Sequence, residues 1–276
     1  MPSRKNGVPE GMVRTTISLP RGRRAPAPPP PPLPVPPPVE PPKADEPLNP
    51  DAARAKFATF LPDDVPDETI EDLLSMWLAA REIVDEHGDG WPVKDIVSIY
   101  LACRCYMLKS RSIAAEVGCG VGYTAGVMAG ALSFNDGKLL SYDDDHLFVE
   151  IAQRNIDKLP WSDSAKVILF KNKKCMRRDL DTPVSLLFID SDKDIREKVL
   201  PEALLGGMVT PETEIYLHDI NREKERRICK HYYDAFGIMY DVVVREEAGL
   251  AHLYLPKGSI SKRALADYLV KTIGAD

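Results

Sequence analysis

The spacing of apolar residues predicts a helical segment ahead of a longer stretch in which strands and helices alternate. From Asp67, apolar side chains recur at the interval of an amphipathic helix, and acidic residues occupy its first turn. These apolar positions are Ile70, Leu73, Leu74, Trp77, Leu78 and Ile83. A second helix is predicted from about Pro92 to Leu108, because proline is favoured in the first turn of a helix. Both helices should form a cap, residues 56–110, over the start of a sheet.

Beyond residue 110, short apolar runs alternate with helical patterns. Strands are predicted at residues 112–116, 138–142, 166–170, 184–189, 214–217, 239–245 and 250–255. Helices are predicted at residues 123–132, 146–159, 195–204, 222–236 and 261–273. This alternation favours a mainly parallel sheet, and the short link at 246–249 favours an antiparallel pair at its end. We therefore expect an α/β domain over residues 111–256, with helices on both faces of seven strands, and a C-terminal helix within 257–276.

Residues 1–55 differ in composition from the rest of the chain. Basic residues almost unopposed by acids come first: Arg4, Lys5, Arg14, Arg21, Arg23 and Arg24. Proline then dominates, including Pro28–Pro32 and Pro36–Pro38, so that neither helix nor sheet ladders can form and a disordered tail with polyproline II character is expected. Such a tail can dock an SH3- or WW-like partner or act as a basic anchor, and it can equally be a solvated spacer.

Charge and cysteine usage restrict the class of protein further. The chain of 276 residues has a formal net charge of −6, which argues against a nucleic-acid partner. Its five cysteines show no paired framework, so reduced thiols and a cytoplasmic location are expected. No apolar run approaches the length of a membrane-spanning helix.

Three closely spaced glycines follow the first predicted strand, in the run Glu116-Val-Gly118-Cys-Gly120-Val-Gly122-Tyr-Thr124. A strand, a glycine turn and a helix are how doubly wound domains hold a nucleotide-like cofactor. The spacing is not the Gly-x-Gly-x-x-Gly of dinucleotide enzymes, and an acid beside the turn would repel phosphate but suit a cation. The run resembles the first motif of class I S-adenosylmethionine-dependent methyltransferases. That resemblance implies the methyltransferase version of the Rossmann fold, with cofactor contacts from Glu116, Gly118, Gly120, Gly122, Tyr123 and Thr124.

Acidic residues end the second predicted strand. Asp143 comes first at the strand end, where an acid typically accepts hydrogen bonds from the two ribose hydroxyls of a cofactor. Asp144 and Asp145 are candidates to cap the helix that starts near His146. Asp143 is therefore the predicted ribose ligand.

The ends of the fourth and fifth strands resemble a narrower group. The run Asp190-Ser-Asp192-Lys193-Asp194 is similar to the cation-dependent O-methyltransferases of the catechol and caffeoyl-CoA type. The resemblance implies that Asp190 binds cofactor and a divalent metal, that Lys193 is a base, and that Asp219 is a second metal ligand. Ile220 stands where that group has a ligating asparagine, but two carboxylates could still hold Mg²⁺ with bound water.

Two residues compete for the role of base. Three aspartates around Lys193 would raise its pKa and oppose that role unless a cation offsets their charge, so base catalysis by Lys193 and metal binding by Asp190 depend on each other. Lys193 is equally well explained as a surface lysine at a helix start. His218, beside Asp219, is the second candidate, because histidine accepts a proton near neutral pH.

The third strand is followed by Lys171-Asn172-Lys173-Lys174, where many relatives carry a Gly-Asp pair. Asn172 is the predicted partner of the adenine ring, and the basic residues are either solvated or face an acidic substrate. Together these features predict methyl transfer from S-adenosylmethionine to a hydroxyl of a small molecule. The alternative is a catalytically degenerate binding module recruited through its proline-rich tail.

Overall fold

A seven-stranded sheet lies at the centre of the computed structural model, which describes residues 48–85, 95–170 and 182–273. The strands are β1 (Ile113–Val117), β2 (Lys138–Asp143), β3 (Ala165–Leu169), β4 (Leu186–Ile189), β5 (Glu214–His218), β6 (Met239–Val244) and β7 (Leu250–Tyr254). The helices within the described residues are α1 (Pro50–Phe60), α2 (Asp67–Asp85), α3 (Asp95–Tyr106), α4 (Tyr123–Ser133), α5 (His146–Ile156), α6 (Lys193–Gly206), α7 (Glu223–Phe236) and α8 (Lys262–Ile273).

The strand order β3-β2-β1-β4-β5-β7-β6 confirms the predicted α/β fold. Strands β1 to β5 pair in parallel, whereas β7 runs antiparallel to both β5 and β6. The order reverses between β1 and β4, and ligands of such sheets bind outside the carboxyl ends of the strands at this switch point. A ligand site is therefore expected among the residues at the carboxyl ends of β1, β2, β4 and β5.

Alternate residues of β4 belong to two different hydrophobic cores. Leu186 and Phe188 pack in the core formed with α1 to α5, whereas Leu187 and Ile189 pack in the core formed with α6 to α8. Side chains of a strand alternate between its two faces, so a strand covered on both sides must be apolar throughout. Helices thus cover both faces of the sheet, as predicted.

The predicted helical cap is part of this architecture. Helices α2 and α3 pack against α4, and Trp77, Ile99 and Leu101 are fully buried in the shared core. All described residues fall in one compact unit, so these helices and the C-terminal α8 are layers of a single body.

Helix α1 begins inside the segment that was expected to be disordered. Asn49 caps it by accepting a hydrogen bond from the Ala52 N–H at 2.9 Å, and Pro50 occupies the first turn. Ala53 and Phe57 are buried against the core. The boundary at residue 55 was therefore wrong. The Asn-Pro start signal was present in the sequence, but proline-rich composition next to it outweighed it.

Several predicted ends shift by one to three residues, as is usual for sequence-based boundaries. Strand β1 ends at Val117 rather than Glu116, β4 begins at Leu186, and α5 ends at Ile156. The tail before residue 48 and the helix start at Pro92 lie outside the described residues. The four described cysteines are buried free thiols, and no described helix is both long and apolar enough to span a bilayer.

A glutamate from the β6–β7 turn caps α3 from a distance in sequence. The Glu247 carboxylate accepts hydrogen bonds from the N–H groups of Ile96 at 2.8 Å and Val97 at 3.3 Å. Its side chain is buried, and a negative charge at a helix N-terminus is favourable. This contact ties the end of the sheet to the helix layer on which α4 rests.

We expect Glu247→Ala to lower the free energy of unfolding by about 2 kcal/mol, because both backbone donors then lose a charged acceptor at a buried helix end. Glu246→Ala is the matched control. Its carboxylate is half-exposed and pairs with Lys56 at 2.8 Å, so its loss should cost about 0–1 kcal/mol. Urea unfolding of both variants measures the difference. Equal losses would contradict the capping role of Glu247.

Candidate active site

The glycine turn between β1 and α4 passes very close to the end of β4. Gly118 has φ +98°, and a Cβ atom at this position would lie 2.1 Å from the Asp190 carbonyl oxygen. Gly122, the N-cap of α4 with φ +88°, is crowded by Ala152 in the same way. Glycine is therefore required at both positions, by conformation and by space.

Gly120 differs from its two neighbours. Its φ is +50°, but no atom lies within 4 Å of the place where a Cβ would be. The N–H of Gly120 donates to Asp143 Oδ2 at 3.1 Å, which holds the turn against the end of β2. The middle of the turn thus presents open backbone to the space above the sheet.

That space is a cavity of about 660 Å³, a size suited to a cofactor or a small ligand. It is bordered by the glycine turn and by the residues after β2, β4 and β5. The polar side chains on its wall are Thr124, Asp143, Asp144, Asp145, His146, Asp190, Ser191, Asp192, Arg196, Asp219 and Arg222. Acidic residues prevail among them, so the cavity favours a ligand with positive charge.

Glu116 lies beneath the turn rather than on the cavity wall. It is 1% exposed, and its carboxyl accepts a hydrogen bond from Ser141 Oγ at 2.5 Å. Burial raises the pKa of Glu116 to about 8, so the group is mostly protonated at neutral pH. The structure therefore places this carboxyl in the interior of the protein, and its contact with a cofactor stays a prediction.

Tyr123 borders the cavity, and its hydroxyl is hydrogen-bonded to α3. Its hydroxyl donates to Asp95 Oδ1 at 3.0 Å and accepts from Ser98 Oγ at 3.1 Å. These bonds join the first residue of α4 to α3. Tyr123 thus fixes the helix that follows the turn, while Thr124 lines the cavity.

The three aspartates after β2 have separate roles. Asp143 accepts from Gly120 N–H and, through Oδ1, from Asp145 N–H at 3.0 Å. Asp145 caps α5 by accepting from Leu147 N–H at 2.8 Å, as the sequence suggested. Asp144 is exposed to the cavity, and partial burial together with the charge of Asp143 raises its pKa. Asp144 is a wall residue that the sequence argument assigned to capping.

The ends of β4 and β5 bring Asp190, His218 and Asp219 together. One potential ligand atom from each lies within 4.8 Å of the others. His218 Nδ1 is 2.8 Å from Asp190 Oδ1, and the His218 ring is fully buried and absent from the cavity wall. Asp190 does line the cavity. An acceptor in the cavity would therefore meet Asp190, and the structure does not bring the His218 ring to it.

A buried arginine occupies the space between the two carboxylates. Arg196 Nη2 lies 3.3 Å from Asp190 Oδ1 and 3.3 Å from Asp219 Oδ2. A divalent cation bridging these oxygens would have to share the position with a guanidinium group. The residues present therefore do not fit the divalent metal that the resemblance implied.

Two further predicted residues can be placed only in part. Lys193 begins α6, but its side chain, like the whole of Asn172, lies outside the described residues. Asn221 points away from the cavity, because its amide donates to the carbonyl oxygens of Arg245 at 2.9 Å and Glu247 at 3.2 Å. Ile220 is buried in the core. Neither residue replaces the asparagine ligand of the cation-dependent group.

Sequence reasoning missed Arg196, Arg222, Asp192 and Phe170 as residues of this cavity. Asp192 lies within the run Asp190–Asp194, and Arg222 comes three residues after Asp219. Both could have been predicted from their positions after the strand ends. Arg196 lies in the first part of a predicted helix and carries no sequence signal that separates it from a solvated arginine.

Solved structures share this architecture. The SAH-bound methyltransferase PaMTH1 of Podospora anserina gives a TM-score of 0.55 at 13% identity, covering 78% of this chain and 100% of that chain. The O-methyltransferase TomG of Streptomyces achromogenes, solved with SAM, gives 0.51 at 16% identity over 73% and 95% of the two chains. The SAH complex of a Bacillus cereus O-methyltransferase gives 0.50 at 18% identity over 74% and 97%.

These structures define the class of fold: the chain has the fold of class I S-adenosylmethionine-dependent methyltransferases, here with neighbours that are O-methyltransferases. No family model and no curated protein sequence matches it. At these identities the likeness establishes the architecture, and the chemistry has to be argued from the residues of the cavity.

The buried Glu116 should make stability depend on pH. Its pKa is about 8 in the folded chain against 4.5 ordinarily, so the folded state binds the proton more tightly. Its contribution is fully present below the unfolded pKa and is lost as pH rises through the folded value. We expect wild type to lose stability relative to Glu116→Gln as pH rises. The free energy of unfolding of the variant minus that of wild type should increase by about 1–3 kcal/mol between pH 5 and pH 8.5.

Urea unfolding at both pH values measures this difference. Glu82→Gln, at an exposed position of α2, should follow the wild-type pH dependence. A constant difference between Glu116→Gln and wild type across this range would show that the carboxyl is ionised throughout.

Proposed function

We propose that the chain binds S-adenosylmethionine in the cavity above the glycine turn and methylates a hydroxyl oxygen of a small molecule. The observation that carries the proposal is the open backbone at Gly120, which faces an acid-lined cavity at the switch point of the sheet. A cofactor with a sulfonium and an amino group suits this surface, because both groups are positively charged. The B. cereus and TomG structures, which contain SAH and SAM, support the same ligand.

The acids after β2 are proposed to bind the ribose of the cofactor. Asp143 is at the expected strand end but is already engaged with two backbone N–H groups, whereas Asp144 faces the cavity. We assign Asp143 to holding the turn as well as to the ribose, and Asp144 to the ribose as a second acceptor. Asn172 remains the proposed partner of adenine, and Phe170 forms an apolar part of the cavity wall.

When bound, S-adenosylmethionine supplies a methyl group that leaves its sulfur for the acceptor oxygen. The chain has to orient the acceptor hydroxyl and take up its proton. Asp190 is the proposed base because its carboxylate lines the cavity. His218, hydrogen-bonded behind it, then orients the carboxylate instead of contacting the acceptor. Lys193, the other proposed base, is less favoured. It would need a nearby divalent metal to lower its pKa, and no such metal is proposed here.

The binding-module alternative differs from this proposal in one observable. A degenerate module retains the fold, with or without the cofactor, but transfers no methyl group. The intact turn and the cavity favour the enzyme, since a module recruited through the tail has no need of either.

Calorimetric titration with S-adenosylmethionine tests the binding step. Gly120→Arg should abolish detectable binding, because its side chain would enter the open space above the turn. Gly237→Arg is the matched control: Gly237 also has a positive φ, +70°, and open space around it, but ends α7 away from the cavity. Both variants carry a similar backbone cost of about 1–2 kcal/mol.

Wild-type binding that Gly120→Arg leaves intact would place the ligand elsewhere. In the same titrations Asp144→Asn should weaken binding by about tenfold, the loss of one hydrogen bond to a charged acceptor. Asp157→Asn, at an exposed position after α5 and outside the cavity wall, should bind as wild type does.

Formation of S-adenosylhomocysteine with a panel of hydroxylated aromatic acceptors tests the transfer step. Asp190→Asn should lower kcat by about 10²–10⁴-fold while still binding S-adenosylmethionine, because it removes the proton acceptor. Asp157→Asn should retain activity. Loss of activity in Lys193→Met with retention in Asp190→Asn would make Lys193 the base, and no product from any acceptor would favour the binding module.

A further inference from the structure

The position between the ends of β4 and β5 already contains a cation that belongs to the chain. Arg196 Nη2 contacts Asp190 Oδ1 and Asp219 Oδ2, each at 3.3 Å. Arg222 Nη1 approaches the same Asp219 Oδ2 at 3.2 Å. Two guanidinium groups therefore share this carboxylate oxygen and bring two positive charges, the same formal charge as a divalent metal.

The remaining nitrogens of Arg196 are occupied as well. Nε donates to the Ser191 carbonyl oxygen at 2.8 Å, and Nη1 donates to the His218 carbonyl oxygen at 3.2 Å. Nη1 also lies 3.3 Å from Glu225 Oε1. All three nitrogens of the guanidinium thus have oxygen partners, which fixes its plane between the two strand ends.

Burial keeps the group in place. The Arg196 side chain is 4% exposed, whereas that of Arg222 is 64% exposed. The backbone carbonyl of Arg196 also accepts a hydrogen bond from the buried Tyr232 hydroxyl at 2.7 Å. Removing the guanidinium would leave the carboxylates of Asp190, Asp219 and Glu225 close together without their shared cation, which is strongly unfavourable.

We propose that Arg196 is the permanent cation of this site, so that the protein binds no divalent metal between Asp190 and Asp219. Arg196 acts as a positioning residue that holds Asp190 and the backbone of His218 at the cavity. This property is independent of the proposed function, since it concerns the cation and requires no bound S-adenosylmethionine.

Titration of the full chain with Mn²⁺ tests whether the site excludes a divalent metal. The protein is first treated with a chelator, and Mn²⁺ binding is then measured by electron paramagnetic resonance. We expect wild type and Asp190→Asn to give the same weak isotherm, because the acids after β2 are unchanged. One equivalent of Mn²⁺ bound by wild type and lost in Asp190→Asn would overturn the proposal. A failure to bind S-adenosylmethionine would leave this comparison unaffected.

Arg196→Gln tests whether the guanidinium is what keeps a cation out. Its neutral side chain should lower Tm, and Mn²⁺ should then raise the Tm of this variant by about 2–4 °C while leaving wild type unchanged. Arg196→Lys is the matched control, since it retains the charge and should show no response to Mn²⁺. A folded Arg196→Gln protein whose Tm ignores Mn²⁺ would overturn the proposal. If this variant does not fold, the wild-type isotherm decides alone.

Discussion

The close approach of Gly118 to the carbonyl of Asp190 is the contact on which the rest of the site depends. Two neighbouring parallel strands, β1 and β4, end here. Only a residue without a Cβ fits between them, at a distance where a methyl group would overlap the carbonyl. This contact brings the glycine turn and the acids after β4 together on the wall of one cavity.

Polar groups around that cavity are divided into a supporting layer and an exposed layer. Glu116, Tyr123 and His218 are buried and hold neighbouring elements together, whereas Asp144, Asp190 and Thr124 face the open space. A buried polar group must find a partner inside the protein, so it stiffens the site without contacting a ligand. A residue can therefore belong to a recognised sequence motif and still only support the residues that line the cavity, without contacting a ligand.

The arginine between β4 and β5 changes how the resemblance to cation-dependent methyltransferases is interpreted. Asp190 and Asp219 are at the positions that the resemblance indicated, but the charge they balance comes from α6 and α7. A covalently attached cation cannot be removed by a chelator and provides directional N–H donors in place of open coordination positions. The same pair of carboxylates can thus serve a site of different chemistry.

The order of strands and helices along the chain, the glycine turn and the acids at the strand ends could all be predicted from the amino-acid sequence. They depend on local periodicity and on steric demands within a few residues. The sequence also contains the Asn49-Pro50 signal that starts α1, although the proline-rich composition before it favours disorder. Three features could be seen only in the folded chain: Glu116 and His218 are buried, Asp144 faces the cavity, and Arg196 lies between two carboxylates. Those outcomes depend on contacts across 20 or more residues, such as that between Arg196 and Asp219, and on burial, which no local pattern of charges specifies.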